Sequence, residues 1–185
     1  MGQGIATSYL QIFSEQLQIP VNQLKVVQGD TDLVEGHGSV GSRSLFVGGN
    51  AILRGIEDFL EECKQLAASE LEASVEDLEY HQGNFQVKGT RVGIGVFDLC
   101  SRQSGNSISV KRKKELTGRS WPNGCHVAEV EIDAETGEVR LDRYVSVDDV
   151  GNTVNPMIVH GQVQGGIALS LIPISEPTRR LSIAY

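Results

Sequence analysis

Apolar residues recur at Ile5, Tyr9, Ile12, Phe13 and Leu17, a spacing that places them on one face of a helix ending before Pro20. A second and longer series, Leu45, Ile52, Ile56, Phe59, Leu60, Cys63, Leu66, Ala67 and Leu71, predicts a helix over 44–71. Its acidic residues, Glu57, Asp58, Glu61 and Glu62, fall on the solvated side. Between the two, Gln23 to Gln28 (QLKVVQ) reads as a strand. Ser74-Val75-Glu76-Asp77 resembles a short capped turn, and Leu78–Gln82 with Phe85–Lys88, joined through Gly83-Asn84, reads as a β-hairpin. From there to about Gly105 no chemistry is legible, and His81 and Cys100 read as ordinary surface or core residues.

The period changes to two from Gly124 onward. His126, Ala128, Val130 and Ile132 share one face and Val127, Glu129, Glu131 and Asp133 the other, the pattern of a half-buried strand. Asp133 to Gly137 (DAETG) is a turn, and Val139, Leu141, Val145 and Val147 alternate along a returning strand, so a long antiparallel hairpin is expected. Carboxylates two apart on one strand face point together toward solvent, which argues against Glu129 and Glu131 as an acid–base pair. Asp148 to Asn152 (DDVGN) breaks the strand with turn chemistry. Asn155-Pro156 then supplies an N-cap and a proline at the first helical position. Gly161, Gly165 and Gly166 are each unfavourable inside that helix by roughly 1 kcal/mol relative to alanine, so close packing on another backbone or a flat ligand is expected there.

Between the first two predicted helices lies Gly29 to Asn50, GDTDLVEGHGSVGSRSLFVGGN, with six glycines, three serines and one arginine. The glycines point to close backbone approach or positive φ, and the serines and arginine offer donors to anionic oxygen. Because the stretch feeds a helix N-terminus, where backbone N–H groups and the dipole favour an anion, Ser42, Arg43 and Ser44 stand where a phosphate would be held. The alternative is a solvated loop rich in Gly and Ser. Gly36-His37-Gly38-Ser39-Val40-Gly41 is a literal G-x-G-x-x-G, but it does not directly follow a strand. The acidic residues about twenty further on lie inside the helix, so a dinucleotide fold is not indicated. Gly2-Gln3-Gly4, at the start of the first helix, is a second place where amides meet a polar ligand.

With 185 residues and 39% hydrophobic content, the chain can bury one core or two small lobes. Its formal charge of −8 argues against nucleic acid or an anionic membrane surface as the main partner. The run Lys111-Arg112-Lys113-Lys114 is a local exception, read as the solvated face of a strand. Cys63, Cys100 and Cys125 are widely spaced, which suits free thiols in a reducing, cytoplasmic compartment. No signal peptide or membrane span is read in the sequence.

In order and spacing, a series of segments resembles the molybdopterin-binding subunit of the xanthine dehydrogenase and aldehyde oxidase family. The segments are Gly2-Gln3-Gly4, GDTD at 29–32, GSVGSRS at 38–44 followed by GGNA, NGCHVAEVEID at 123–133, VDDVG, NP, and GQVQGG at 161–166. The GSRS form is most similar to the branch containing the large subunits of aerobic carbon monoxide dehydrogenases. The resemblance implies an α+β fold of antiparallel strands with packed helices, part of a two-lobed molybdenum-cofactor-binding domain. It implies a molybdenum–molybdopterin cofactor, in its cytosine dinucleotide form, contacted by Gly2, Gln3 and Gly4 and by Val40, Gly41, Ser42, Arg43 and Ser44, with Ala6 and Thr7 as further contacts.

For the parent enzyme it implies hydroxylation of aldehydes or N-heterocycles with oxygen from water, or oxidation of carbon monoxide. Electrons would leave through iron–sulfur and FAD-binding subunits or domains. The family's glutamate base lies in a part absent from this chain, so no catalytic residue is assigned and the fragment alone is expected to be inactive. Residues 1–168 would form a partial cofactor-binding domain. Residues 169–185, where Leu169 departs from the family pattern and Pro173 and Pro177 would break a helix, would be an artefactual or disordered tail. The competing readings are a non-catalytic phosphate- or nucleotide-binding protein and a fragment without function.

Overall fold

The periodic segments form the two main helices. Helix α1 spans Ile5–Leu17 and α2 spans Ser44–Glu70 in the computed structural model, which describes residues 2–33, 36, 38–111 and 120–175. The buried members of the α2 series, Ile56, Cys63 and Ala67, lie along one stripe, as a 3.6-residue period requires. The chain divides into two units, residues 2–118 and residues 119–185.

In the first unit α2 is the beam on which two apolar clusters meet. Leu17, Ile19 and Ile56 make the smaller one, against the end of α1. The larger one joins Cys63, Ala67 and Ala68 to Leu78, Phe85, Ile94, Val96 and Leu99. Those partners come from a small antiparallel sheet of β1 (Leu78–His81), β2 (Asn84–Val87) and β3 (Gly93–Gly95), and from α3 (Val96–Arg102). Phe85 and Leu99 are almost completely buried, and burial of such side chains contributes about 1.5–3 kcal/mol each. Two hydrogen bonds tie the sheet to α1: Tyr80 Oη donates to the Leu17 carbonyl at 2.6 Å, and the Gln82 N–H donates to Gln18 Oε1 at 2.7 Å.

Three local expectations are corrected here. Gln23 to Gln28 is not a strand: Val21–Gln23 is a turn of 3₁₀ helix, and the following residues are extended without a ladder partner among the described residues. A short segment with adjacent valines, Val26 and Val27, forms a strand only where a neighbour supplies hydrogen bonds. The hairpin turns at Gln82-Gly83 rather than Gly83-Asn84, with both residues at positive φ (47° and 77°), as a two-residue type I′ turn demands. The turn before β1 has Ser74 as its N-cap, but no side-chain cap bond; the Asp77 N–H donates to the Ser74 carbonyl at 3.0 Å instead. Residues Arg112 to Lys114 of the basic run lie outside the described residues.

The second unit is built on the expected long hairpin, β4 (Asn123–Ile132) with β5 (Val139–Asp149), and on α4 (Pro156–Ser175). Asp133 closes the turn by accepting the N–H groups of Glu135 and Thr136, each at 2.8 Å. The returning strand does not break at Asp148 and Asp149, which are its last residues.

The strands are exposed rather than half-buried, Val147 being 69% accessible. Their faces also differ from simple alternation. Pairing shifts between Glu129, opposite Arg143, and Val130, opposite Leu141, so that Asp142 is an extra residue in β5, a β-bulge. Val139 and Leu141 consequently share the Ile132 and Val130 face, whereas Val145 and Val147 share the opposite face with Val127 and Cys125.

Asn155 caps α4 as expected, its Oδ1 accepting the Ile158 N–H at 3.1 Å. The helix runs through Pro173 instead of stopping before it. Pro173 removes one i→i−4 bond and crowds the carbonyl four residues before it, but only two residues of helix follow, so little of the ladder lies beyond the break. The close packing expected at Gly161, Gly165 and Gly166 is absent among the described residues, since a Cβ added at any of them meets nothing within 4 Å.

Candidate functional site

The glycine segments expected to hold a ligand come together in the first unit. Gly2 and Gly4 both have φ of 70°, a left-handed conformation that a residue with a Cβ rarely adopts, and Gly4 is the N-cap of α1. Gln3, between them, is thereby held at the head of the helix, half-buried. Ala6, also half-buried, and Thr7, exposed, occupy the first turn behind it.

On the other side, Gly41 and Ser42 are left-handed in succession, with φ of 57° and 52°. A serine in that region is strained, the kind of departure found at ligand sites. Arg43 is the N-cap of α2 and Ser44 its first residue. No side chain caps this helix. The N–H groups of Ser44, Leu45 and Phe46 therefore have no intrahelical acceptor, because the first bond of the helix runs from Val47 N–H to the Arg43 carbonyl at 2.8 Å. Arg43 is exposed and has no ion-pair partner among the described residues. Val40, 55% accessible, flanks the loop. Amides without an intrahelical acceptor at a helix start, the exposed Arg43 guanidinium and the Ser42 hydroxyl form a donor set suited to the oxygens of a phosphate or pyrophosphate.

What joins the halves is Ser39. Its hydroxyl donates to Gln3 Oε1 at 2.9 Å and makes a short hydrogen bond with the Ser44 hydroxyl. Tyr9 reinforces the joint from α1, its hydroxyl donating to the Ser44 carbonyl at 2.9 Å. Burial pushes the Tyr9 phenol above its ordinary pKa. Neither Ser39 nor Tyr9 is singled out by the sequence pattern. Ser39 lies inside the GSVGSRS stretch without a distinguishing neighbour, and Tyr9 reads as one more member of the apolar face of α1.

The remaining chemistry-bearing residues lie mostly in the second unit. Glu131 pairs with Arg140 on the exposed hairpin, the Arg140 Nε–H donating at 3.2 Å, and Glu129 stands on the same face, so both face solvent as expected. On the other hairpin face His126 contacts Tyr144 Oη through Nδ1 at 2.9 Å and Asp148 through Nε2 at 3.0 Å. A hydrogen bond from Ser146, then that from His126, holds the Asp148 carboxyl below its ordinary pKa. No group of three or more His, Cys, Asp and Glu placed to hold a metal occurs among the described residues, and Cys63, Cys100 and Cys125 are free thiols.

Comparison with known proteins places the same segments in a family. Residues 1–171 match the family described as the molybdopterin cofactor-binding domain. The gamma subunit of the 6-hydroxypseudooxynicotine dehydrogenase complex of Paenarthrobacter nicotinovorans is 30% identical over 177 residues, covering 89% of this chain and 22% of that protein. The carbon monoxide dehydrogenase large chain of Hydrogenophaga pseudoflava is 31% identical over 175 residues, covering 90% and 22%.

Among solved structures, that of the Cu,Mo-CO dehydrogenase in its carbon monoxide reduced state superposes with a TM-score of 0.74 at 30% identity, over 90% of this chain and 22% of that one. Quinoline 2-oxidoreductase from Pseudomonas putida 86 gives the same TM-score, 0.74, at 32% identity, over 92% and 23%. The chain thus spans about a fifth of the length of the relatives it matches.

Proposed function

The chain belongs to the molybdopterin cofactor-binding domain family, and on that premise we propose that residues 2–7 and 40–44 seat a molybdenum–molybdopterin cofactor in its cytosine dinucleotide form. The observation that carries this reading is the hydrogen-bonded joint Gln3–Ser39–Ser44, which unites two glycine segments distant in sequence into one donor-rich surface. A protein binding a bare phosphate at the start of α2 has no need of Gln3. The alternative of a plain phosphate or nucleotide binder leaves that glutamine, and the two left-handed glycines that hold it, without a role.

Within this seat the residues divide the work. Arg43, the Ser42 hydroxyl and the first amides of α2 hold the pyrophosphate, through charge-assisted hydrogen bonds worth about 1.5–3 kcal/mol each. Gln3, at the other end of the joint, meets the pterin. Gly41 and Ser42 turn the backbone so that the amides behind them face the anion. Bound there, the cofactor supplies a redox centre for the oxidation of a small molecule with oxygen taken from water, or for the oxidation of carbon monoxide. Glu129 and Glu131, the carboxylate pair of the sequence, are exposed on the hairpin, and no base is assigned from this chain.

The whole protein is read as a molybdenum-dependent oxidoreductase of aldehydes, N-heterocycles or carbon monoxide. It would work in the cytoplasm with iron–sulfur and FAD-binding subunits or domains that carry electrons away. Supporting that assembly, the relatives are themselves named as a large chain and as a subunit of a complex. The test of the seat is cofactor retention. Wild-type and Arg43→Ala protein, produced in a host that makes the cofactor, are compared for pterin fluorescence and for molybdenum by elemental analysis. Arg43→Ala is expected to lower both about tenfold or more, the loss of one charge-assisted bond. Equal occupancy in the two proteins overturns the assignment.

A further inference from the structure

The joint between the two glycine segments has a direction. A serine hydroxyl carries one proton and accepts through two lone pairs. The Ser39 proton goes to Gln3 Oε1. The second contact of Ser39, with the Ser44 hydroxyl, must therefore take its proton from Ser44. Donation runs from Ser44 to Ser39 to the Gln3 carbonyl. The amide of Gln3 is anchored by its oxygen, and its NH₂ group is the end left for a ligand.

Tyr9 adds a second constraint at the other terminus. Its hydroxyl donates to the Ser44 carbonyl, so the backbone that carries the starting hydroxyl is itself fixed. Both ends of the relay are thus held, one by α1 through Tyr9 and the other by the left-handed glycines around Gln3.

We propose that Ser39 is a positioning residue of the cofactor seat: it turns Gln3 so that the side-chain NH₂, and not the carbonyl, faces the ligand. Gln3 then reads an acceptor atom of the pterin and rejects a donor in that place. Ser44 has its proton engaged with Ser39, so it offers the ligand a backbone N–H and hydroxyl lone pairs. The hydroxyl donated to the anion belongs to Ser42. A neutral glutamine held in one orientation discriminates more sharply than a free one, because an apposed donor would leave two N–H groups facing another donor with no acceptor. This inference rests on the cofactor reading above and adds the orientation of Gln3 to it.

The test compares Ser39→Ala, Ser39→Thr, Gln3→Glu and Arg43→Ala in the intact chain, with circular dichroism as the check on folding. Two readouts are taken. The first is the ¹⁵N–¹H signals of the Gln3 side-chain amide without ligand: wild type and Ser39→Thr are expected to keep displaced, distinct signals, and Ser39→Ala to move them to the position of a solvated glutamine. The second is calorimetric titration with molybdopterin cytosine dinucleotide lacking the metal. Ser39→Ala is expected to weaken binding about five- to tenfold, the loss of one oriented hydrogen bond, while Ser39→Thr retains it. Gln3→Glu keeps an acceptor for Ser39 but loses the NH₂, and is expected to weaken binding further.

Unmoved Gln3 signals in Ser39→Ala overturn the relay, as does a loss of affinity in Gln3→Glu that Ser39→Ala does not share. Failure of the wild type to bind, or binding that Arg43→Ala leaves untouched, counts against the cofactor reading instead. In that case the amide signals still decide whether Ser39 orients Gln3.

Discussion

The hydroxyl of Tyr9 occupies the space that a side chain at Gly48 would need. A Cβ built on Gly48 would lie 1.9 Å from Tyr9 Oη and 2.5 Å from its ring carbon. The glycine in the second turn of α2 is therefore what lets α1 approach closely enough for Tyr9 to reach the Ser44 carbonyl. A residue read only as part of a glycine-rich stretch sets the distance between the two halves of the seat.

Gly48→Ala is accordingly expected to destabilise the chain, although alanine is favoured over glycine in a helix by about 1 kcal/mol. The intruding methyl must displace Tyr9, and overpacking of this kind costs about 1–3 kcal/mol, to which the lost hydrogen bond adds. Tyr9→Phe removes the bond alone and should cost about 1 kcal/mol. Urea denaturation midpoints check both, and a higher midpoint for Gly48→Ala would show that the helices do not pack this way.

The thiols should separate by reactivity. Burial, with smaller contributions from Cys100 and Glu62, pushes Cys63 up to about 12, and the residue is fully inaccessible, whereas Cys125 is exposed. At pH 8 only about one Cys63 in 10⁴ is thiolate on that value. Iodoacetamide followed by peptide mass mapping should label Cys125 in the native protein and Cys63 only after denaturant is added.

Alkaline pH should also weaken the fold. Tyr80, like Cys63, is pushed up to about 12, mainly by burial. A raised folded pKa means that the native state holds the proton more tightly than the unfolded chain. The stabilisation is complete below the ordinary values of 9.0 and 10.0 and is lost as pH climbs from there toward 12. Thermal midpoints measured from pH 8 to 11 should fall, and Cys63→Ser should leave a smaller slope than wild type.

The hairpin turn should respond to acid. The N–H groups of Thr136 and Glu135, and then the Thr136 hydroxyl, hold Asp133 below its ordinary 3.8. That contribution is present above 3.8 and is lost as pH falls through the lower folded value. The Glu135 and Thr136 amide resonances should therefore move toward unstructured positions in strong acid. Asp133→Ala should show those positions already at neutral pH.

The purified chain is expected to show no oxidation of aldehydes, purines or carbon monoxide with an artificial electron acceptor. It is assigned donors suited to a cofactor, and none of its carboxylates is assigned as a base. Turnover with stoichiometric molybdenum would overturn that division of roles.

Helices α1 and α2 and the first hairpin are legible in the sequence because burial on one side imposes a period on the residues; the long hairpin is legible from its alternation and its DAETG turn, although its strands are exposed. Gln23 to Gln28 departs from the expectation because β-branched residues such as Val26 and Val27 state a preference, and a ladder partner decides. Strand β3 and α3 had no legible signature: a three-residue strand, Gly93–Gly95, and a seven-residue helix, Val96–Arg102, are too short to complete a pattern. At the seat, the glycines and the serine–arginine loop were visible as residue types. The role of Ser39 was not, because a hydrogen bond across 36 positions is a product of folding.

The bulge at Asp142 makes the long hairpin a ribbon whose apolar residues change sides partway along its length. Near the turn the apolar side carries Ile132, Val130, Val139 and Leu141; toward the open end it is the reverse side, with Val127, Val145 and Val147. Excising Asp142 would leave these sides as they are, because Leu141 and Arg143 would then alternate as ordinary strand neighbours; only the local bend and added twist of the bulge would go.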